Sequence, residues 1–406
     1  MIEQYKYKTQ YQTLQIVDNQ ELKSLEFIQN LDIDHLVLIQ CKNVIPVLDS
    51  KTIKSLNIEF CNIKSIEKID LENLEVLIIQ EHKIQLFDDF IEKNIIKFKK
   101  LKQLSIYKQD VVDIKQISQI FELNTLKLEY CGLKNVEALI QLINLTELSL
   151  CGNDQINITP LQFLNLTKLN LGFCNLRRID QLIPIVNLIQ LSVNNNTQID
   201  ISPLKYLKRL TKLNLSTCCL TNVQVLQNLR NLENLDLQNN KYIDFAPLQH
   251  LTKLIVLNIS NCGLNNLDFY TITLTKLQQL YVQNNFIVYI SSIQKLQYLS
   301  QLEADNNRLI DIQTIQSLPN FNSFKLNNQS KPNKKQKQVA CRLRAIYSPM
   351  FELRVIKNKN ISIQRKQMIA AMKINRYSRQ LFNKQVMFVQ QVVSLFQTLN
   401  SFSSYE

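Results

Sequence analysis

A spacing that returns roughly every 22 residues constrains this 406-residue chain more than any other feature. Residues 123–165 show it twice in succession. Leu123, Leu126 and Leu128 precede Cys131, Leu133, Val136, Leu139 and Leu142; Leu145, Leu148 and Leu150 precede Asn153, Ile156, Ile158, Leu161 and Leu164. The stretch x-L-x-L-x alternates apolar and polar residues, which predicts a short strand with its leucines on one face. The Asn or Cys falls where the chain leaves that strand. An Asn there can accept from a backbone N–H and donate to a backbone C=O. A Cys fills the same slot as a small buried group with a weak S–H donor. One such unit cannot fold alone, so neighbours must share a backbone ladder and a continuous core.

The pattern can be registered from Tyr11, with Leu14, Ile16 and Asn19 in the expected places. Later units begin at Ile33, Ile53, Leu74, Leu101, Leu123, Leu145, Leu166, Leu188, Leu210, Leu232, Leu254, Leu277 and Leu299, and a partial one at Phe321. The early units are less regular, with His82 and Gln109 in the Asn/Cys slot. The unit that begins at Leu74 carries an insertion, and FDDFIEKNIIKFKK (87–100) predicts a longer helix on the outer side. From Cys131 the slot alternates: Asn153, Cys174, Asn196, Cys218, Asn240, Cys262, Asn285. The Asn units continue I-[ND]-[IF]-[STA]-P-L, as at Ile156–Leu161, Ile199–Leu204 and Ile243–Leu248, and the Cys units take a shorter turn. The underlying period is therefore a pair of units, about 44 residues. Pro160, Pro203 and Pro247 fall where a short helix or 3₁₀ turn would begin, a position that suits a residue without an N–H.

On these residues, 11–326 resemble the short class of leucine-rich repeat shared by bacterial internalins and the leucine-rich regulatory subunit of protein phosphatase 1. The resemblance implies an α/β fold: a curved solenoid with a concave parallel sheet and short 3₁₀ or α segments on the convex side. It also implies a protein-binding role, of which a regulatory subunit is one version. The expected organisation is an N-terminal cap (1–10), a solenoid of about fourteen units plus a remnant (11–327), a basic linker (328–338) and a basic helical tail (339–406).

The chain carries 47 basic and 34 acidic residues, and the excess is localised. From Lys331 onward lie 15 of the basic residues and two acids, Glu352 and Glu406, which leaves 32 of each sign in the rest. The repeat region is neutral and the tail holds the whole charge of +13. Such a tail can bind nucleic acid or an acidic membrane, with the solenoid as scaffold, and that is the alternative reading. The tail has few aromatics among its basic residues, so the stacking platform of a single-strand binder is missing. Six of the nine cysteines (Cys41, Cys61, Cys131, Cys174, Cys218 and Cys262) occupy repeat slots, which predicts buried free thiols and a reducing compartment. Residues 1–10 lack the apolar core of a signal peptide, and no run of about 18 apolar residues occurs. These features predict a cytoplasmic or nuclear protein.

Chemistry has little to work with. His35, His82 and His250 lie in separate units, and no Gly-rich phosphate loop occurs. The reading is of a non-enzymatic, monomeric interaction scaffold with no cofactor, no metal and no small-molecule substrate. The candidate surface is the concave face, and its outward positions include Glu59, Phe60, Glu81, Tyr107, Glu129, Tyr130, Glu147 and Phe173. Aromatic side chains exposed on a strand face are typical interface anchors. Lys108, Lys127 and Lys168 offset the acids, so no strongly charged patch is expected.

Overall fold

A computed structural model describes residues 13–18, 25, 28, 31–41, 47–61, 68–80, 97–108, 114–241, 243–267, 273–309 and 311–325. The expected cap, the linker and the tail lie outside the described residues, as do Glu81, the slot residues Asn19, His82 and Gln109, and most of the predicted insertion helix.

Seventeen strands are described. Those of the first half are β1 (Thr13–Val17), β2 (His35–Ile39), β3 (Val47–Asp49), β4 (Ser55–Glu59), β5 (Lys68–Asp70), β6 (Val76–Gln80), β7 (Gln103–Tyr107) and β8 (Thr125–Glu129). Those of the second half are β9 (Glu147–Ser149), β10 (Lys168–Asn170), β11 (Gln190–Ser192), β12 (Lys212–Asn214), β13 (Asn234–Asp236), β14 (Val256–Asn258), β15 (Gln279–Tyr281), β16 (Gln301–Glu303) and β17 (Ser323–Lys325). Fifteen of them form one parallel sheet in chain order, without β3 and β5. Pairing is in register, leucine beside leucine, as in Leu126 with Leu148 and Leu169 with Leu191. The alternation read from the sequence explains this directly: a slip of one residue would turn every leucine outward. Backbone bonds run on past the three-residue strands, with Leu150 N–H donating to Asn170 O at 2.8 Å and Gly152 N–H to Gly172 O at 2.8 Å.

Among the described residues the returns between strands are mostly 3₁₀ turns, with one short α-helix, α1 (Ile114–Ile117). The Asn units show why. Pro160, Pro203 and Pro247 sit in the first turns of the 3₁₀ segments Thr159–Phe163, Ser202–Tyr206 and Ala246–His250. The Asn or Asp two residues before each segment's first residue accepts that residue's N–H: Asn157 from Thr159 at 3.0 Å, Asp200 from Ser202 at 2.9 Å, Asp244 from Ala246 at 2.9 Å. This Asx turn fixes the entry, and proline sets φ for the next step.

The slot residues tie units together in one direction. Asn196 is fully buried. Its Oδ1 accepts from Cys174 N–H (3.2 Å) and Leu176 N–H (2.8 Å) of the preceding unit. Its Nδ2 donates to Leu171 O and Val193 O, both at 2.8 Å. Asn153, Asn240 and Asn285 repeat the arrangement. The buried cysteines reach back with one weak bond to the preceding unit, as Cys218 Sγ does to Val193 O at 3.2 Å. The turns differ too. Cys units place the residue after the slot in the left-handed region (Gly132, Asn175, Cys219, Gly263), whereas Gln155 and Gln198 do so two residues after their Asn. The two-unit period is thus a structural fact as well as a sequence one.

Two features were not anticipated. β3 and β5 pair with each other in a separate parallel two-stranded sheet. In the insertion, Phe98 is 1 % exposed and packs into the core just before Leu101.

Candidate functional site: the outward face of the sheet and its rim

The side chains that point away from the core form columns along the sheet. Over β8 to β15 they line an open hollow of about 560 Å³, which includes Lys127, Glu147, Lys168, Lys212, Asn214 and Asp236. Its lining carries both signs, with Lys127, Lys168 and Lys212 among Glu129, Glu147 and Asp236. Lys168 Nζ donates to Glu147 Oε1. Ser149 Oγ donates to Glu129 Oε1 at 2.6 Å. Asp236 Oδ1 accepts from Gln238 N–H at 2.9 Å, and burial pushes its carboxyl above the usual range. Glu59 accepts from Asn57 Nδ2 at 2.7 Å.

Three of the predicted aromatics lie elsewhere than in the strands. Phe60, Tyr130 and Phe173 have φ of 54°, 56° and 55°. They occupy the left-handed residue that ends the strand, so they stand on the rim of the hollow rather than on its floor. The correction is one of geometry: after the last outward position the chain must turn, and a left-handed residue turns it. Asn and Gly take that conformation with least strain. The later units use Asn there, at Asn195, Asn239, Asn261, Asn284 and Asn306, with Thr217 as the exception. Several of these bond to their neighbour, Asn261 Nδ2 to Asn239 Oδ1 at 2.6 Å and Asn306 Nδ2 to Asn284 Oδ1 at 2.7 Å. Among the earlier units three put bulky rings in the same row, and others put Asp18, Gln40, Lys108 and Gly152 there.

The rings are brought together. Tyr107, the last residue of β7, meets Tyr130 edge-on with centroids 5.4 Å apart. Tyr130 meets Phe173 at 6.2 Å. Lys108 Nζ lies 5.3 Å from the Tyr107 centroid. Gly152, at φ 76°, makes the cluster possible: a Cβ there would fall 2.3 Å from Tyr130 Cδ1. Gly152 escaped the sequence reading, although it is one of only four glycines. Burial and the neighbouring Cys151 push the Tyr130 phenol up to about 12. Burial and Glu129 raise the Cys151 thiol. Neither group is poised to ionise near neutral pH. Phe60 lies apart from these three rings, and it and Phe173 are 52 % and 46 % exposed.

Another part of the wall is apolar and was missed. Val17, Val37 and Ile39 on β1 and β2, and Val76 and Ile78 on β6, occupy outward positions. The signal was present: HLVLI and VLIIQ lack the polar alternation of the later strands, as strands covered on both faces do.

Comparison with known proteins accords with this geometry. No protein-family model matches the sequence, and no curated protein does. Solved structures match along most of the chain. The fold is the leucine-rich-repeat solenoid. The internalin InlF of Listeria monocytogenes is 21 % identical, with 86 % of this chain and 87 % of that one covered and a TM-score of 0.54. A leucine-rich-repeat protein of Leptospira interrogans is 24 % identical over 77 % of this chain and 89 % of its own, at a TM-score of 0.51. The functional domain of InlJ from L. monocytogenes, which includes a cysteine ladder, is 16 % identical over 78 % and 73 %, at 0.50. Likeness at this level of identity establishes the fold and leaves function to the site itself.

Proposed function

We propose that the protein is a non-enzymatic, monomeric scaffold that holds another protein against the outward face of its sheet, anchored on the rim formed by Phe60, Tyr107, Tyr130 and Phe173. One observation carries this reading. Three units place aromatic rings in left-handed positions that later units give mainly to Asn, at a backbone cost of roughly 1–2 kcal/mol each. Strain of this kind collects at binding sites, and two of the three rings remain about half exposed. The apolar wall of β1, β2 and β6 extends the contact surface. A regulatory subunit is one form such a scaffold takes. The buried free thiols of Cys41, Cys61, Cys131, Cys174, Cys218 and Cys262 support work in a reducing compartment, the cytoplasm or nucleus.

The test begins with affinity capture of the full chain and identification of the bound protein by mass spectrometry. Tyr130→Ala with Phe173→Ala is then expected to weaken that complex by about 2 kcal/mol or more. Unchanged affinity in the folded double variant removes the rim from the account. Binding of nucleic acid through the basic tail would instead fall steeply across a salt series and ignore the rim variants.

A further inference from the structure

Where the strands begin, the residues just ahead of each unit's first core leucine form an exposed edge. Most units place Lys, Arg, Asn, Thr or Gln there. Four consecutive units place an exposed apolar side chain at this edge instead: Phe121, Ile143 and Val186 two residues ahead of the leucine, and Phe163 three ahead, at the end of the 3₁₀ segment Thr159–Phe163. These side chains are 56 %, 79 %, 72 % and 52 % exposed. The strands that carry them, β8 to β11, pair in register. Adjacent rungs are about 4.8 Å apart, so the four side chains form a ridge roughly 15 Å long. Single exposed apolar residues are ordinary; four in successive rungs make a patch that marks a contact. The ridge lies at the opposite ends of the strands from the aromatic rim.

Charge frames the ridge on both sides. Lys97, Lys99 and Lys100 belong to the unit before Phe121, and Lys205, Lys208 and Arg209 to the unit after Val186. Arg230 and Lys253 continue the series, and all eight are exposed. Lys100, Arg209 and Lys253 donate to the side-chain oxygens of Asn73, Asn187 and Asn231, at 2.6–2.8 Å. Those partners are neutral, so these three hydrogen bonds leave the positive charge in place, although Lys100 also lies in the field of Glu75. Glu122 is the acid within the ridge.

We propose that this edge docks on an anionic lipid surface. The four apolar side chains enter the boundary between headgroups and acyl chains, and the basic groups on either side meet the headgroup charges. The shape favours a bilayer over a folded partner. The apolar residues project as a ridge, and a planar anionic surface reaches the ridge and both basic flanks together. A protein would need a groove cut to the same length with acids at both ends.

The chain contains no tryptophan, so one substitution makes a unique reporter. Phe163→Trp places it on the ridge and Phe173→Trp on the opposite rim. Each full-length variant is mixed with vesicles of phosphatidylcholine alone, or of phosphatidylcholine with phosphatidylserine. On the anionic vesicles the Phe163→Trp emission is expected to shift to the blue and to be quenched by brominated acyl chains, while Phe173→Trp stays silent. Phe121→Ser, Ile143→Ser and Phe163→Ser together are expected to lower partitioning by about tenfold or more. Three outcomes overturn the proposal. The protein binds anionic vesicles while the ridge reporter stays silent, which assigns the binding to the basic tail. The ridge reporter shifts with protein concentration in the absence of lipid, which assigns the ridge to a second copy. Or the folded triple variant partitions like the parent.

Discussion

Replacing Asn196 by Ala tests the physical basis of the solenoid. The residue is fully buried and makes four bonds of 2.8–3.2 Å to backbone groups of two units. Alanine removes all four. Val193 O keeps a partner in the Cys218 thiol at 3.2 Å. Three groups lose this partner: Cys174 N–H, Leu176 N–H and Leu171 O. A buried backbone group left unsatisfied costs about 1–3 kcal/mol, so three should cost about 3–9 kcal/mol. Cys218→Ala removes only weak sulfur bonds and a small volume, and should cost about 1 kcal/mol. A long stack need not unfold in one step, so the assay is native-state hydrogen exchange of residues 171–179. A local loss of about 4 kcal/mol speeds exchange there by roughly a thousandfold. Asn196→Asp keeps the acceptor but sets its second carboxylate oxygen against Leu171 O and Val193 O in a buried slot, and should cost at least as much as alanine. Equal effects of Asn196→Ala and Cys218→Ala would refute the idea that asparagine is the directional tie between units.

Other outcomes follow from the same geometry. Deleting residues 188–209 sets the Cys174 unit against the Cys218 unit and should destabilise the array, whereas deleting 166–209 preserves the alternation and should melt cooperatively; calorimetry distinguishes them. Gly152→Ala should displace Tyr130 and cost about 1–2 kcal/mol from the left-handed backbone, read by denaturation and by partner affinity. Burial raises the Asp236 pKa, so its ionisation works against folding; that penalty is absent below the ordinary carboxylate range and grows as pH rises through the folded-state value. Asp236→Asn should therefore raise Tm at neutral pH and lose that advantage in acid. Burial pushes the thiols of Cys174, Cys218 and Cys262 up to about 12, 11 and 11. Among the described cysteines, exposed Cys219 should react first with a thiol reagent, and the buried slot residues only on unfolding.

Leucine positions carry the register because they obey a period that burial enforces, and every strand from β7 to β17 lies where that period puts it. The slot alternation and the prolines were legible for the same reason: each repeats, and each has a bonding role. The left-handed rim was not legible. Phe60, Tyr130 and Phe173 sit one residue beyond the outward series, where the chain turns by backbone conformation and no hydrophobic period records it. Gly152 matters through a contact with a ring one unit away, which spacing within a unit cannot reveal. The apolar wall of β1, β2 and β6 left a trace in its broken alternation, but the strong leucine signal hid it. The ridge from Phe121 to Val186 lies in turn positions, where the repeat consensus places no demand.

On the proposed function, a partner occupies the sheet side of the solenoid at the aromatic rim. Photo-cross-linking tests it most directly. A benzophenone amino acid at position 173 stands on the rim, and one at position 227 lies in the 3₁₀ segment Gln224–Asn228 on the return side. The account predicts covalent capture of the partner from position 173 and none from 227. Capture from 227 with none from 173 would contradict it.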